Sequence, residues 1–474
     1  RRHLSSTSSV THHARRRAHP SLERGDSLRE TDGVQALEAY ATCSTDALCS
    51  DMQRLTWIVE NAVPNGHRSM LERLATHAPA RGGRMALNML GRSHWYAGET
   101  EQAEAYWSLA ARSGRAARDT QWVTSILNVA LVQAKRGRLF PPLMLYHQGR
   151  EVARTLKDPY HVAFSTVRRG HLLIQLRCLD AAANEFHDAT PLIEAVTHRE
   201  HHLALLEAAN TGRGHLLRDL GDLEGAYDTY ERSRQIMMMQ GGRFQAVTAG
   251  IEAHKYSVAF DLFPDKRIEI LREVETLTAR YNVRQVWRRG IHYKRLYLWL
   301  RYLDEEGGAP HDARALLKEL IALDQDLSVH QQETLRIAQI GERLGEPELA
   351  GQLYEQHASR LLKQIVDAQD TAQQFPEMQH ENLKDWALLD TVPREAALQH
   401  EQILPSLRRL WRPGNPAYES VVRNGLVLVC AWCTRVCTAG GGWLPIAKLI
   451  PQAANETISH GLCEDCAARE FGIH

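Results

Sequence analysis

A recurring spacing of small and ringed residues leaves this chain little freedom in how it folds. Counted from Arg84, Leu90 and Gly91 fall at positions 7 and 8, Gly98 at 15, Ala103 at 20, Trp107 at 24 and Ala110 at 27. The spacing returns in Gly170, Ala182, Phe186 and Ala189, in Gly214, Gly221, Ala226, Tyr230 and Ser233, and in Ala338, Gly345, Ala350 and Tyr354. A weaker copy holds Ala130, Gly137 and Tyr146, with Pro142 at position 20. The position-8 residues are therefore 91, 130, 170, 214 and 338, and the first three steps between them are 39, 40 and 44. The last gap, 124, is close to three such steps and predicts degenerate units near 255 and 297. Throughout this region apolar residues recur at three- and four-residue intervals, and Gly- or Asp-bearing turns separate the segments, as in paired helices.

This pattern resembles the tetratricopeptide repeat, in which small residues at 8 and 20 let two helices approach and a ring at 24 fills the space between them. The resemblance implies an all-α, TPR-like solenoid over residues 35–365, a right-handed superhelix of about seven antiparallel helix pairs of ~40 residues each. Such long repeats are similar to those in sensor regions of large bacterial transcription regulators and signalling ATPases. A solenoid of this kind exposes a concave face lined by the first helix of each pair. Positions 2, 5, 9 and 12 supply that face, which gives Asn88, Arg92, Trp95, His171, Thr211, His215 and Arg218 as the candidate peptide-binding groove. The set is polar, aromatic and partly cationic, which suits an acidic peptide or a C-terminal carboxylate. The competing reading is a solvated helix face without a ligand. In the weaker unit the corresponding stretch is apolar (Leu127, Leu131, Ala134), either core or an anchor pocket for a partner helix.

Near the C-terminus Cys430-Ala-Trp-Cys433 and Cys463-Glu-Asp-Cys466 are separated by 29 residues. Each C-x-x-C pair places two thiolates on one tight turn, half of a tetrahedral Zn2+ site, and four such ligands close the site as a structural rather than catalytic metal. His460 and Cys437 are the available substitutes. With eight cysteines in 474 residues, a disulfide framework is not expected. The words around these cysteines, with Trp443, Ser459, His460 and Gly461, resemble a short Cys-rich tail that ends many bacterial signalling proteins; here Glu464 stands where that tail has Pro. The resemblance covers residues 428–468, about forty residues, and implies a zinc-binding tail over residues 428–474 in a bacterial, cytoplasmic, signal-transduction setting.

Residues 1–34 form a basic N-terminal segment, acid-free through residue 22, that is too poor in apolar groups to order itself. Residues 366–427 read as a proline-punctuated helical connector, suited either to capping the last repeat or to forming a homodimer through Leu398, Ile403, Leu407 and Leu410. Lys plus Arg and Asp plus Glu are equal at 57 each, which argues against nucleic acid as a partner, and no apolar run is long enough to cross a membrane. No phosphate-binding loop, dinucleotide fingerprint, zinc-protease or nucleophile-elbow motif occurs. The expectation is thus a non-catalytic protein- or peptide-binding scaffold or sensor, with the zinc tail as a second contact. The alternative is the C-terminal regulatory part of a larger signalling enzyme or transcription regulator whose effector domain precedes residue 1, which the starting Arg1 would suit.

Overall fold

The computed structural model describes residues 20–28, 32–44, 67–77, 80–239, 245–281, 285–306, 310–324 and 331–376, isolated helical positions at 48, 58 and between 387 and 402, and five short strand segments between 422 and 461. It divides into two units, residues 1–125 and 126–474.

In the first unit, α1 (Pro20–Leu28), α2 (Gly33–Ala41), α3 (Arg68–His77), α4 (Ala80–Ala97) and α5 (Thr100–Gly114) precede α6 (Thr120–Lys135), which crosses the boundary. Pro20–Leu28 corrects the expectation of disorder through residue 34. Asp32 caps α2 by accepting the Gln35 N–H (3.0 Å), and Tyr40, buried in the core of this unit, donates to Asp26 on α1 (2.6 Å). Residues 1–19 lie outside the described residues.

In α4 and α5 the repeat spacing becomes a contact. A Cβ built on Gly91 would lie 2.6 Å from the Trp107 indole, so only glycine admits that ring. The indole N–H donates to the Asn88 carbonyl (3.0 Å), and Ala103 and Ala110 are fully buried beside it.

The second unit continues in pairs: α7 (Phe140–Thr155) packs Gly149 against Leu127 of α6, and α8 (Pro159–Gln175) pairs with α9 (Leu179–Glu194). Next come α10 (Arg199–Leu220) with α11 (Leu223–Met239), α12 (Gln245–Leu262) with α13 (Arg267–Arg280), α14 (Gln285–Glu306) with α15 (Pro310–Asp324), and α16 (Gln331–Arg343) with α17 (Pro347–Gln374). Short connections between contacting helices make each pair antiparallel. A Cβ on Gly170 would meet Phe186 at 2.8 Å, and one on Gly214 would meet Tyr230 at 2.6 Å, the same packing as in the first unit. Phe186 also lies against Gly212 of the next pair, so one ring joins two repeats. This is TPR-like helical-repeat packing. Its core is a series of clusters along the stack rather than a single centre.

The residue at position 15 ends the first helix in a left-handed conformation at Gly98 (φ 83°), Gly137 (78°), Gly221 (89°) and Gly345 (78°). At each, the following N–H reaches back to close the helix, as Asp222 N–H does to the Leu217 carbonyl (2.9 Å). Arg177 adopts the same conformation (φ 62°) without glycine's freedom, and its guanidinium is tied to Asp219 (2.6 Å). Between Gly214 and Ala338 the two pairs have Lys255 and Tyr297 at position 8, neither of them small, and α14 runs past position 15 to Glu306.

No described helix is long and apolar enough to cross a membrane. Helix α17 passes through the expected boundary at 365 and ends at Gln374, and Ala396 of the connector belongs to the same buried cluster as Ala358 and Leu361. Leu398, Ile403, Leu407 and Leu410 lie outside the described residues.

The tail departs from the all-α class. Strands β1 (Val422–Arg423), β2 (Leu426–Cys430), β3 (Val436–Cys437), β4 (Trp443–Leu444) and β5 (Thr457–Gly461) form one sheet. β5 runs parallel to β2 over its whole length, β1 and β3 pair antiparallel with β2, and β4 continues beyond β3.

Candidate functional site

The candidate groove residues divide between the two units. Asn88, Arg92 and Trp95 lie on α4 of the first. Asn88 is buried and engaged: its Nδ2 donates to the Gln121 carbonyl (3.2 Å) and side chain (3.1 Å), and its Oδ1 accepts from Ser125 (3.0 Å). Position 5 therefore ties one repeat to the start of the next helix rather than presenting a clamp. Arg92 is exposed, and Trp95 is half-buried with its ring tilted on Trp107 at 6.1 Å.

In the second unit His171, Thr211, His215 and Arg218 converge, because successive first helices lie side by side: α8 contacts α10, α12 contacts α14, and α14 contacts α16. His171 Nε2 lies 2.9 Å from the Ala208 carbonyl, so this nitrogen carries the proton and donates. Burial, reinforced by the nearby Arg168 guanidinium, pushes the His171 pKa down to about 4 and keeps the ring neutral at pH 7. The His215 ring is 6.2 Å from His171 and 4.5 Å from His254, and its Nδ1 shares a 2.7 Å hydrogen bond with Tyr230. Burial first, then the neighbouring His254 and Arg218, hold His215 well below its ordinary value. Thr211 bonds Glu207 and Ser233, both at 2.8 Å, and burial raises the Glu207 pKa. Arg218 donates twice to Asp219 (3.0 and 2.8 Å), which also receives Arg177.

Four further residues complete this face. His254 comes from α12, Lys294 from α14, Glu333 from α16 and Arg168 from α8. Lys294 is buried and donates to Glu333, while burial lowers its pKa against the opposing pull of that carboxylate. Lys294 falls on position 5 of the unit extrapolated around 297, the one signal that could have found it. His254 and Glu333 fall on positions 7 and 3, and Arg168 on position 6, off the pattern. Together the first helices α8 to α16 assemble a sheltered face of neutral imidazoles, hydroxyls and paired charges. Such a face recognises polar or carboxylate-bearing groups by exchanging internal partners for those of a ligand. Leu127, by contrast, is buried against Gly149, which is the first of its two readings, core rather than anchor pocket.

In the tail, β2 ends at Cys430 and β5 at Gly461, and these two residues are paired across parallel strands. β2 and β5 run parallel, so Cys430 and Gly461 stand at the same end of the sheet. His460 pairs with Val429 one step back, and Cys437 pairs with Trp443 on the far side of β3. Cys433, Cys463 and Cys466 lie outside the described residues, and among the described residues no group of three His, Cys, Asp or Glu is placed to hold a metal.

No protein-family model and no curated protein matches this chain. Among solved structures, it is similar to the apo form of the quorum sensor NprR from B. thuringiensis, with 12% identity, a TM-score of 0.47, and coverage of 72% of this chain and 97% of that one. It is also similar to a Rap protein complexed with Competence and Sporulation Factor, with 10% identity, a TM-score of 0.37, and coverage of 81% and 98%. Both scores fall below one-half and carry no argument. The helical-repeat assignment rests on the glycine–ring contacts above.

Proposed function

We propose that this chain is a non-catalytic peptide- or protein-binding scaffold or sensor in bacterial, cytoplasmic signal transduction, and that its ligand seats on the first-helix face of the second unit. The observation that carries the reading is the convergence of His171, His215, His254, Arg218 and Lys294 from four different helices on one sheltered face. A free peptide C-terminus suits this face: its carboxylate competes with Asp219 and Glu333 for Arg218 and Lys294, and its backbone meets the neutral imidazoles and Thr211. Charge-assisted hydrogen bonds of this kind contribute about 1.5–3 kcal/mol each.

Selection of random peptides with free C-termini against the full chain tests this. Amidating a selected peptide, or replacing Arg218 by Gln in the protein, is expected to weaken binding about 10–100-fold. Selection that returns no peptide, or peptides indifferent to both changes, refutes the reading.

The tail supplies the second contact. Cys430, Cys433, Cys463 and Cys466 would hold one structural Zn2+, with His460 and Cys437 as substitute ligands. The ion would staple the end of the β2–β5 pair at which Cys430 and Gly461 stand.

A further inference from the structure

The last helix returns to an early one. Helix α17 has 28 residues, whereas the other second helices have 14 to 17. Its added length carries Asp367 to the start of α7. There one carboxylate oxygen accepts the backbone N–H groups of Leu139 (3.1 Å) and Phe140 (3.3 Å), and the other accepts Arg138 Nε (3.1 Å). Helix α7 has no cap of its own, because Leu139 stands at the N-cap with no side-chain acceptor. Pro141 and Pro142 have no N–H, so Leu139 and Phe140 hold the donors that this end offers, and both go to a residue more than 220 positions away. Buried Leu139, Phe140, Ala368 and Thr371 surround the contact.

In an open solenoid each pair touches only its neighbours. Here contacts run from α7 through each successive pair to α17 and back to α7. Among the described residues, the hydrogen bonds of this pairing are those of one carboxylate with three donors. We propose that Asp367 is the catch of a clasp that closes the second unit's stack on itself, and that this clasp opens as a local event while the repeats stay folded. The clasp also accounts for Pro142 at position 20 of the weaker repeat, since this helix start is shaped to meet α17.

Hydrogen exchange followed by mass spectrometry on the full chain tests the clasp without any ligand. In the wild type, segments 138–146 and 362–374 are expected to exchange at a common rate, with weak urea dependence, and faster than α10 and α11. Asp367→Asn keeps one acceptor oxygen for the backbone N–H groups but sets an NH2 donor against Arg138 Nε and removes the charge-assisted bond there, and is expected to speed both segments about 10–100-fold, leaving α10 and α11 unchanged. Asp370→Asn, on an exposed residue of the same helix, is expected to change neither. The proposal is overturned if the two segments exchange independently of each other in the wild type, or if Asp367→Asn speeds every helix equally. Should the variant fail to fold, the wild-type coupling alone decides. Since no peptide takes part, failure here is distinct from failure of the binding reading.

Discussion

Gly170→Ala isolates the contact on which the repeat depends. Glycine in a helix interior costs about 1 kcal/mol relative to alanine, so the substitution would stabilise α8 if the site had room. It has none. The new Cβ would lie 2.8, 2.9 and 3.1 Å from three atoms of the Phe186 ring, all inside ordinary contact distance. The ring has little room to retreat, because its tip also lies against Gly212 and it meets His171 in a T-shaped contact with centroids 5.6 Å apart. Overpacking of this kind costs about 1–3 kcal/mol. Gly250→Ala in α12 is the matched control: it has the same propensity gain, with nothing within 4 Å of the added methyl. The propensity term cancels between the two, so their stabilities should differ by about 1–3 kcal/mol, with Gly250→Ala above wild type. Urea unfolding followed by far-UV circular dichroism measures this as a separation of midpoints at equal slope. If Gly170→Ala stabilises as much as Gly250→Ala does, the glycine–ring contact is not what sets the repeat.

Three further outcomes follow from particular groups. Gly221 is left-handed (φ 89°) with open space around it, so Gly221→Ala should cost about 1–2 kcal/mol from backbone strain alone and Gly221→Asn measurably less, read as urea midpoints. The folded-state pKa of His171, about 4, lies below its unfolded value of about 6.5. Its stabilising contribution is therefore complete above pH 6.5 and is lost as pH falls toward 4, by up to a few kcal/mol. His171→Gln, which still donates to the Ala208 carbonyl but does not titrate, should flatten unfolding midpoints measured between pH 7 and 5, and an unchanged slope would count against a buried neutral imidazole. In the tail, Cys463→Ser should abolish bound zinc in elemental analysis of the purified chain and leave the helical signal intact; zinc retained in that variant would remove Cys463 from the ligand set.

The helical repeat was legible wherever glycine meets a ring, because that contact needs one residue type at each of two positions: Gly91 with Trp107, Gly170 with Phe186, Gly214 with Tyr230. It faded at Lys255 and Tyr297, which are too large for the close approach and where mixed aliphatic and aromatic clusters form the core instead. The sequence pattern also could not show that Pro142 belongs to a helix start, since the partner that explains it, Asp367, is distant in the chain. The candidate groove residues fall on first helices, as their positions predict, but position does not reveal engagement. Asn88 and His171 spend their hydrogen bonds on neighbouring repeats, while Lys294 and His254 arrive from units with no small-residue phase to mark them. The β-sheet of the tail was hidden because strands of two to five residues around cysteines and glycines carry too little alternation to read.

A ligand seated on the first helices of the second unit would leave its mark in hydrogen exchange of the full chain, measured with and without a selected free-C-terminus peptide at saturation. Exchange is expected to slow in the adjoining stretches of α8, α10, α12 and α14 that carry His171, His215, Arg218, His254 and Lys294, with the second helices α9, α11 and α13 unchanged. Protection confined to the second helices, or to the first unit alone, would contradict it.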